Sequence, residues 1–157
     1  MEFIAPIVDK ILAVLEARTP ALLGARAPFA AYGKQFTGIV PNFPAVYVMP
    51  VRTEFDSEAT GASHQAHQVQ IKCAVEGSEP DAIVVEAVAY MTAIHEALAA
   101  SWPADWAGVL SDGQVEALLV RGHDYGPLFE RGNVLARFPE LDLVVMAVED
   151  WAGLEGV

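Results

Sequence analysis

Hydrophobic residues in the first part of the chain recur at the spacing of one helical face. The apolar positions are Ile4, Ile7, Val8, Ile11, Leu12 and Leu15. Steps of three and four residues place such side chains on one side of an α-helix, so the pattern predicts a helix over residues 3–18. The sequence Thr19-Pro20 is expected to end it, because proline pushes the preceding residue out of the helical region. Residues 19–44 are rich in Gly, Pro and Ala and are expected to form a working loop or a short extra helix.

A β-hairpin is predicted next. The segment Ala45–Phe55 is β-branched and aromatic, and Pro50 implies an edge position or a bulge. The segment Asp56–Ala66 is small and polar, which is typical of a mobile hairpin tip. The following segment, His67–Glu76, alternates apolar and polar residues, which predicts a strand that pairs with the first in antiparallel fashion. Its apolar side consists of Val69, Ile71, Cys73 and Val75.

A second helix is predicted from Ser78 to about Ala100, and strands follow it. Ser78 is expected to cap the helix, Pro80 suits the first turn, and Pro103 marks the end. The expected buried stripe is Ile83, Val84, Val88, Met91, Ile94 and Leu98. Beyond a loop, the predictions are a strand at Gly113–His123, a turn at Asp124–Arg131, and residues 133–149 as one long strand or two strands split at Pro139. The last strand is expected to be central and buried on much of both faces.

This order of elements predicts the fold class α+β. We expect a mostly antiparallel sheet of about four to five strands with two main helices packed on one face. The 157 residues are expected to form a single domain, since no linker divides them. Long loops are predicted at about 19–44, 56–66, 101–114 and 122–133.

Charge narrows the range of partners. The chain has 9 Lys and Arg against 21 Asp and Glu, a formal net charge of −12. Residues 1–75 hold six acids and six bases, so the excess lies entirely in residues 76–157, with fifteen acids and three bases. Nucleic-acid binding proteins neutralise phosphates with Lys and Arg, so we expect no specific nucleic-acid binding. The uneven charge fits either a solvated surface or a protein with one acidic and one near-neutral face.

No residue pattern indicates an enzyme. His64 and His67 lie near Asp56 and Glu58, but a zinc site needs three or four convergent ligands. His123-Asp124 has no serine or cysteine placed as a nucleophile. We therefore expect no catalytic residues, no metal site and no cofactor.

The remaining features concern the cellular setting. Cys73, on the apolar side of a predicted strand, is expected to be a buried hydrophobe, and a single cysteine suits a reducing compartment. No secretory signal and no membrane span are expected either. The apolar runs are interrupted by charged residues or proline.

Three arginines stand out in the acidic second part. Arg121, Arg131 and Arg137 are its only bases, and they flank the turn at residues 122–133. One interpretation is routine surface pairing with Asp124, Glu130 and Glu140, worth about 0–1 kcal/mol for each pair. The other is that this loop, with Phe129, presents arginines to a neighbouring subunit, since Arg and aromatic residues are favoured at interfaces.

The pattern as a whole resembles the tail-terminator and tail-completion proteins of long-tailed bacteriophages and related head-tail joining proteins. The matching parts are the N-terminal helix ending near Arg18, the strand FPAVYVMPVRTEF, the polar gap before HQVQIKCAVEG, the helix DAIVVEAVAYMTAIHEAL and the stretch VRGHDYGPLFERGNVLARFPELDLVVMAVE.

The resemblance implies a structural virion protein, assembled in the bacterial cytoplasm, that forms a homo-oligomeric ring, typically a hexamer. Such a ring would stop growth of the tail tube and join the tail to the head. Its partners would be the tail tube protein and head-tail connector proteins. The residues expected at subunit or tube interfaces are Arg52, Glu54, Asp56, Glu58, Arg121, Phe129, Arg131 and Arg137.

Two alternatives remain open at the level of sequence. The first is a head-side adaptor at the same joint. The second is a small ligand-binding or enzymatic α+β domain whose pocket is lined by Trp102, Trp106 and Tyr125.

Overall fold

The fold is taken from a computed structural model that describes residues 4–57 and 61–150. Two helices, α1 (Ala5–Leu23) and α2 (Pro80–Ser101), are accompanied by a short 3-10 helix at Ala104–Trp106. The strands are β1 (Ala31–Gly33), β2 (Ala45–Ser57), β3 (Ala62–Gly77), β4 (Gly113–Asp124), β5 (Leu128–Arg131), β6 (Val134–Arg137) and β7 (Glu140–Asp150). The predicted α+β class is confirmed, but the described residues form seven strands rather than four or five.

The strands form one branched sheet. Its main part has the order β1-β2-β3-β7-β4, and every pairing is antiparallel except that of β1 with β2. The strand β7 pairs with Ala62–Lys72 of β3, whereas β6 pairs with the last residues of β3 and then with β5. Pro139 lies between β6 and β7, and its carbonyl accepts a hydrogen bond from the amide of Cys73 (2.8 Å), which bridges the gap. The predicted split at Pro139 and the central position of the last strand are therefore confirmed.

Both helices bury their apolar faces in one core. Helix α1 contributes Ile7, Ile11 and Leu15, and α2 contributes Ile83, Met91 and Ile94, all fully buried. These side chains pack with Val69, Ile71 and Cys73 of β3. Cys73 is therefore the buried small hydrophobe that the sequence predicts, and burial raises the pKa of its thiol. In the predicted stripe of α2, however, Val84 and Val88 are each 40% exposed.

The helix boundaries differ from the prediction in two places. Helix α1 does not end at Thr19-Pro20: Pro20 lies inside it and Leu23 is buried at its last turn. Burial of Leu23 favours that extra turn, and the hydroxyl of Thr19 donates to the carbonyl of Leu15 (2.6 Å). Helix α2 begins after Glu79 rather than at Ser78, and no side chain caps it.

Three segments predicted as loops contain strands. Strand β1 and the last turn of α1 lie within residues 19–44, in place of an extra helix. The expected mobile tip at Asp56–Ala66 is largely paired, with Asp56 opposite His64. The expected turn at Asp124–Arg131 contains β5. In each case backbone pairing with a neighbouring strand outweighs a polar or Gly-rich composition.

Helix α2 has the length and mean hydropathy (1.4) of a candidate membrane span, the one such helix among the described residues. It packs against α1 and β3, and 44% of the apolar window is buried inside the fold. Core helices of folded domains meet the same criterion, so this finding is weak support for a span.

Candidate interaction surfaces

A groove lies on the face of the sheet opposite the helices. Val46 and Val48 of β2 point into the helical core, so the alternate residues Ala45 and Tyr47 point to the other face. There the segment of residues 34–43 packs against the sheet, with Phe36 next to Tyr47. The groove between this segment and the β5–β6 hairpin has a volume of about 710 Å³.

Aromatic side chains build the apolar part of the groove. The ring of Phe36 lies 5.4 Å from Tyr47 and 5.4 Å from Phe138, measured between centroids. Phe129 packs edge-on against Phe138 at 5.5 Å and is itself 49% exposed. Val40, Phe43 and Val134 complete the apolar lining. Rings at these separations form the offset and edge-to-face arrangements that aromatic pairs prefer, so the wall is well packed.

The polar part of the groove is acidic. Glu76, Asp124 and Glu140 line the groove together with the ammonium group of Lys72. Glu130 pairs with Leu135, which packs against the helical core, so its side chain lies on the other face of the hairpin. Lys72 Nζ lies 2.9 Å from Glu140 Oε1 and 4.6 Å from the centroid of the Phe36 ring. Glu140 also accepts a hydrogen bond from Gln70 Nε2 (2.9 Å). Glu76 is exposed and forms no ion pair with the described residues.

A tight turn shapes the rim. The backbone amide of Gly126 donates to Asp124 Oδ1 (2.8 Å), which closes the turn between β4 and β5. Gly126 has a φ of +68°, and a Cβ atom there would lie 2.9 Å from the carbonyl oxygen of Phe138. Glycine is therefore required both by the left-handed backbone and by the close approach of the next chain segment.

The second surface is the outer part of the β2–β3 hairpin, residues 51–57 and 61–68, called the arm below. Arg52 and Glu54 are both well exposed and form an ion pair at 3.1 Å. Val51 is 60% exposed beside the register shift at Pro50, which confirms the predicted bulge. Strand β1 covers only Ala45–Tyr47 of β2, so among the described residues the outer edge of the arm has no strand partner. Glu58, the last residue predicted here, lies outside the described residues.

A chain of polar side chains is buried at the base of the arm. Thr53 Oγ1 lies 2.9 Å from His67 Nδ1, His67 Nε2 lies 2.7 Å from Gln65 Oε1, and Gln65 Nε2 donates to Glu149 Oε1 at 3.1 Å. This network assigns the proton of a neutral His67 to Nε2, with Nδ1 accepting from Thr53. Burial lowers the pKa of His67, and the carboxylate of Glu149 opposes that shift in part.

Sequence reasoning missed this network. In such a sequence an exposed histidine flanking the strand is the commoner arrangement, but the side chain of His67 is fully buried. The sequence does contain a sign of this burial. Alternate residues of a strand point to the same face, so Ser63, Gln65 and His67 lie on the same face as the buried Val69. His64 lies between these residues in sequence and therefore points to the opposite face, where its Nδ1 lies 3.9 Å from Glu116 Oε1. His64 and His67 therefore cannot converge on a metal, and the described residues contain no group of three or more potential metal ligands.

The eight predicted interface residues do not form one patch. Arg52, Glu54 and Asp56 lie on the arm, and Phe129 lines the groove. On β3, Asp56 is opposite His64, and the pairing with β6 extends to Gly77, which is thirteen residues after His64. At about 3.3 Å for each residue, the tip of the arm at Asp56 is about 40 Å from the end of β3. Arg52, opposite Gln68, is about 26 Å along β3 from the position next to Phe129.

The three arginines have different surroundings. Arg121 lies on β4 and lines a second cavity, of about 620 Å³, with His95 and Trp102. Arg137 is half-buried on β6, and its Nε has no hydrogen-bond partner among the described residues. Arg131 is described by its backbone alone, opposite Val134. Neither Arg121 nor Arg137 forms an ion pair with Asp124, Glu130 or Glu140 in the described part of the chain; Glu140 pairs with Lys72, and Asp124 accepts the amide of Gly126.

Other candidate groups are dispersed. His95 Nδ1 lies 3.0 Å from His123 Nε2. Burial is the larger cause of the lowered pKa of His123, and the nearby His95 lowers the pKa further. Trp106 does not line the pocket suggested with Trp102 and Tyr125. Trp106 is buried in the core, where its indole N–H donates to Ser101 (2.9 Å), and Trp102 alone lines the second cavity.

The described residues thus define an α+β protein with two unlike exposed surfaces. No family model and no curated protein matches the chain. Among solved structures, a chain of the virion of a native gene transfer agent (GTA) particle is similar, with 20% identity and a TM-score of 0.44, over 92% of this chain and 94% of that chain. At this identity and TM-score the likeness assigns neither a family nor a role.

Proposed function

We propose that this chain is a non-enzymatic structural protein of a long-tailed bacteriophage virion, forming a ring at the end of the tail tube. The ring stops tube growth and joins the tail to head-tail connector proteins. The resemblance of the helix and strand segments to tail-terminator proteins supports this role, and so does the placement of the predicted interface residues.

The observation that carries the proposal is the separation of two unlike surfaces, with Arg52 and Phe129 about 26 Å apart along β3. A ring requires a heterologous interface, in which one patch of a subunit contacts a different patch of the next. The arm, with Val51 and Arg52, and the groove region, with Phe129, are such a pair of candidates. A protein that uses a single two-fold interface needs one self-complementary patch instead.

The distribution of charge along the chain supports a ring whose two ends carry unlike surfaces. Residues 76–157 carry the whole net charge of −12, while residues 1–75 are balanced. The carboxylates that line the groove all come from the second part and the arm comes from the first, so the two surfaces differ in charge. Such a subunit can present unlike surfaces to a tube and to a connector.

The decisive experiment is the light-scattering mass of the purified full chain over a wide concentration range. A defined multiple near six subunits is expected. Arg52→Glu in the arm should shift the mass toward the monomer, because it replaces an exposed cation at the proposed interface. Lys10→Glu on α1, which makes the same change of charge, should leave the mass unchanged.

If the chain is monomeric, its binding to isolated tail tubes is measured next, because subunits can close into a ring only after they have bound to the tube. A chain that is monomeric and also fails to bind tube ends contradicts the proposal. The head-side adaptor is the second candidate, since the same two-surface geometry suits it. Binding to connector proteins without any capping of tubes would favour the adaptor.

A further inference from the structure

Two histidines that are far apart in sequence meet on the helical side of the sheet. His95 occupies an exposed position of α2, and His123 lies near the end of β4 and is half-buried. His95 Nδ1 is 3.0 Å from His123 Nε2, and the planes of the two rings are inclined at 72°. His95 also lines the second cavity, so water and dissolved ions reach the pair. Two different elements thus hold two imidazole nitrogens side by side at the surface.

The separation of these nitrogens matches that of neighbouring ligands on one metal ion. A bond from an imidazole nitrogen to a metal is about 2.0–2.1 Å long. Two such bonds at a right angle, as on a square-planar ion, place the nitrogens about 2.9 Å apart, whereas a tetrahedral angle places them about 3.3 Å apart. The observed 3.0 Å between the two histidines therefore favours the right angle. Cu²⁺ and Ni²⁺ adopt that geometry and bind imidazole well.

A neighbouring hydroxyl supports the tautomer that metal binding requires. A metal takes the unprotonated nitrogen of a neutral imidazole, so the proton of His123 must lie on Nδ1. The hydroxyl oxygen of Tyr125 lies 3.4 Å from that nitrogen and can accept its hydrogen bond. Histidine ligands of metals are oriented through their second nitrogen in this way. The exposed His95 can carry its proton on Nε2, which leaves Nδ1 free for the metal.

The other soft or nitrogen ligands of the chain are less suited to the same ion. His67 is buried with both ring nitrogens within hydrogen-bonding distance of neighbours, and Cys73, the one cysteine, is also buried. His64 lies beside a carboxylate, that of Glu116, at 3.9 Å and has no second imidazole next to it. The net charge of −12 raises the concentration of cations around the whole molecule. A divalent cation is therefore attracted to the chain and finds two adjacent imidazoles at one place.

We propose that His95 Nδ1 and His123 Nε2 chelate one Cu²⁺ ion, with water in its remaining positions. Ni²⁺ binds at the same place more weakly, and Mg²⁺, which prefers oxygen ligands, does not bind. The ion replaces the hydrogen bond between the two rings and joins α2 to β4. An ion that binds only the folded chain stabilises it, so the melting temperature rises with Cu²⁺. The inference does not depend on the proposed ring.

The test titrates the untagged full chain with copper(II) chloride at neutral pH and measures binding by calorimetry and electron paramagnetic resonance. A saturable site is expected, with a spectrum that shows two coordinated imidazole nitrogens. His95→Gln, at an exposed helix position that tolerates substitution, should weaken binding at least tenfold, and His123→Gln should do the same. His64→Gln is the matched control and should bind Cu²⁺ as the unmodified chain does. The rise in melting temperature should be absent from the first two variants and present in the control.

Tyr125→Phe tests the orientation of His123 separately. It removes the acceptor of the Nδ1 proton, so binding should weaken about tenfold while the spectrum still shows two nitrogens. The proposal is overturned if His95→Gln binds Cu²⁺ as tightly as the unmodified chain does, or if His64→Gln weakens binding equally. A spectrum with a single imidazole nitrogen also overturns it. Light-scattering mass keeps the two proposals apart: a hexamer without this site contradicts the metal site alone, and a monomer with it leaves the site intact.

Discussion

Individual residues decide the chemistry of the arm, and His67 is the most consequential of them. In the folded chain, burial lowers the pKa of His67 below that of an unfolded histidine, about 6.5, so the unfolded state binds more protons. The free energy of unfolding should therefore decrease as the pH falls from about 7 toward 5.5. His123, whose pKa is also lowered, contributes with the same sign. Urea unfolding at a series of pH values measures this slope.

Substitution separates the contribution of His67 from that of other groups. His67→Gln should reduce the pH slope, and His64→Gln, at a partly exposed position on the opposite face, should preserve it. His67→Gln should also lower the free energy of unfolding by about 1–3 kcal/mol at pH 7, because it leaves Thr53 or Gln65 without a buried partner. An identical slope in the His67→Gln protein would contradict the assignment of the neutral, hydrogen-bonded state.

Gly126 is a second residue whose identity the fold requires. Gly126→Ala should destabilise the protein by about 1–3 kcal/mol, since a side chain would force a left-handed backbone and approach the Phe138 carbonyl too closely. Gly122→Ala is the matched control. It lies in β4 with open space around the added carbon, and its effect on the melting temperature should be small. Equal losses of stability in the two variants would mean that the turn does not need glycine.

At the scale of elements, α2 is a long helix that begins without a cap. Glu79 occupies the N-cap position and makes no side-chain hydrogen bond to the first turn. Glu79→Ser should stabilise the protein by about 1 kcal/mol, because serine accepts from an otherwise unpaired amide. Glu79→Ala removes the same charge without supplying a cap, so only the serine variant should raise the melting temperature. A gain in both would indicate a charge effect instead.

Most elements could be predicted from periodicity, whereas pairing could not. The helices and β3 are evident from spacings of 3.6 and two residues, and these signals are local in sequence. The continuation of α1 through Pro20 depends on the burial of Leu23, which is a tertiary effect. Strands β1 and β5 have three and four residues and exist because β2 and β6 lie beside them. The groove was missed for the same reason, since Phe36, Lys72 and Phe138 are far apart in sequence and meet only in the folded sheet.

At the scale of the whole molecule, the net charge of −12 opposes assembly into a ring. Subunits that each carry this net charge repel one another, and the repulsion is screened when the Debye length shortens from about 10 Å at 0.1 M salt to about 3 Å at 1 M. Self-association should therefore strengthen as sodium chloride is raised from 0.05 to 0.5 M, seen in light scattering as a larger mass at equal protein concentration. If assembly instead weakens with salt, ion pairs dominate the subunit contact. Arg52 and the charged residues beside it, rather than apolar side chains, would then lie at the centre of that contact.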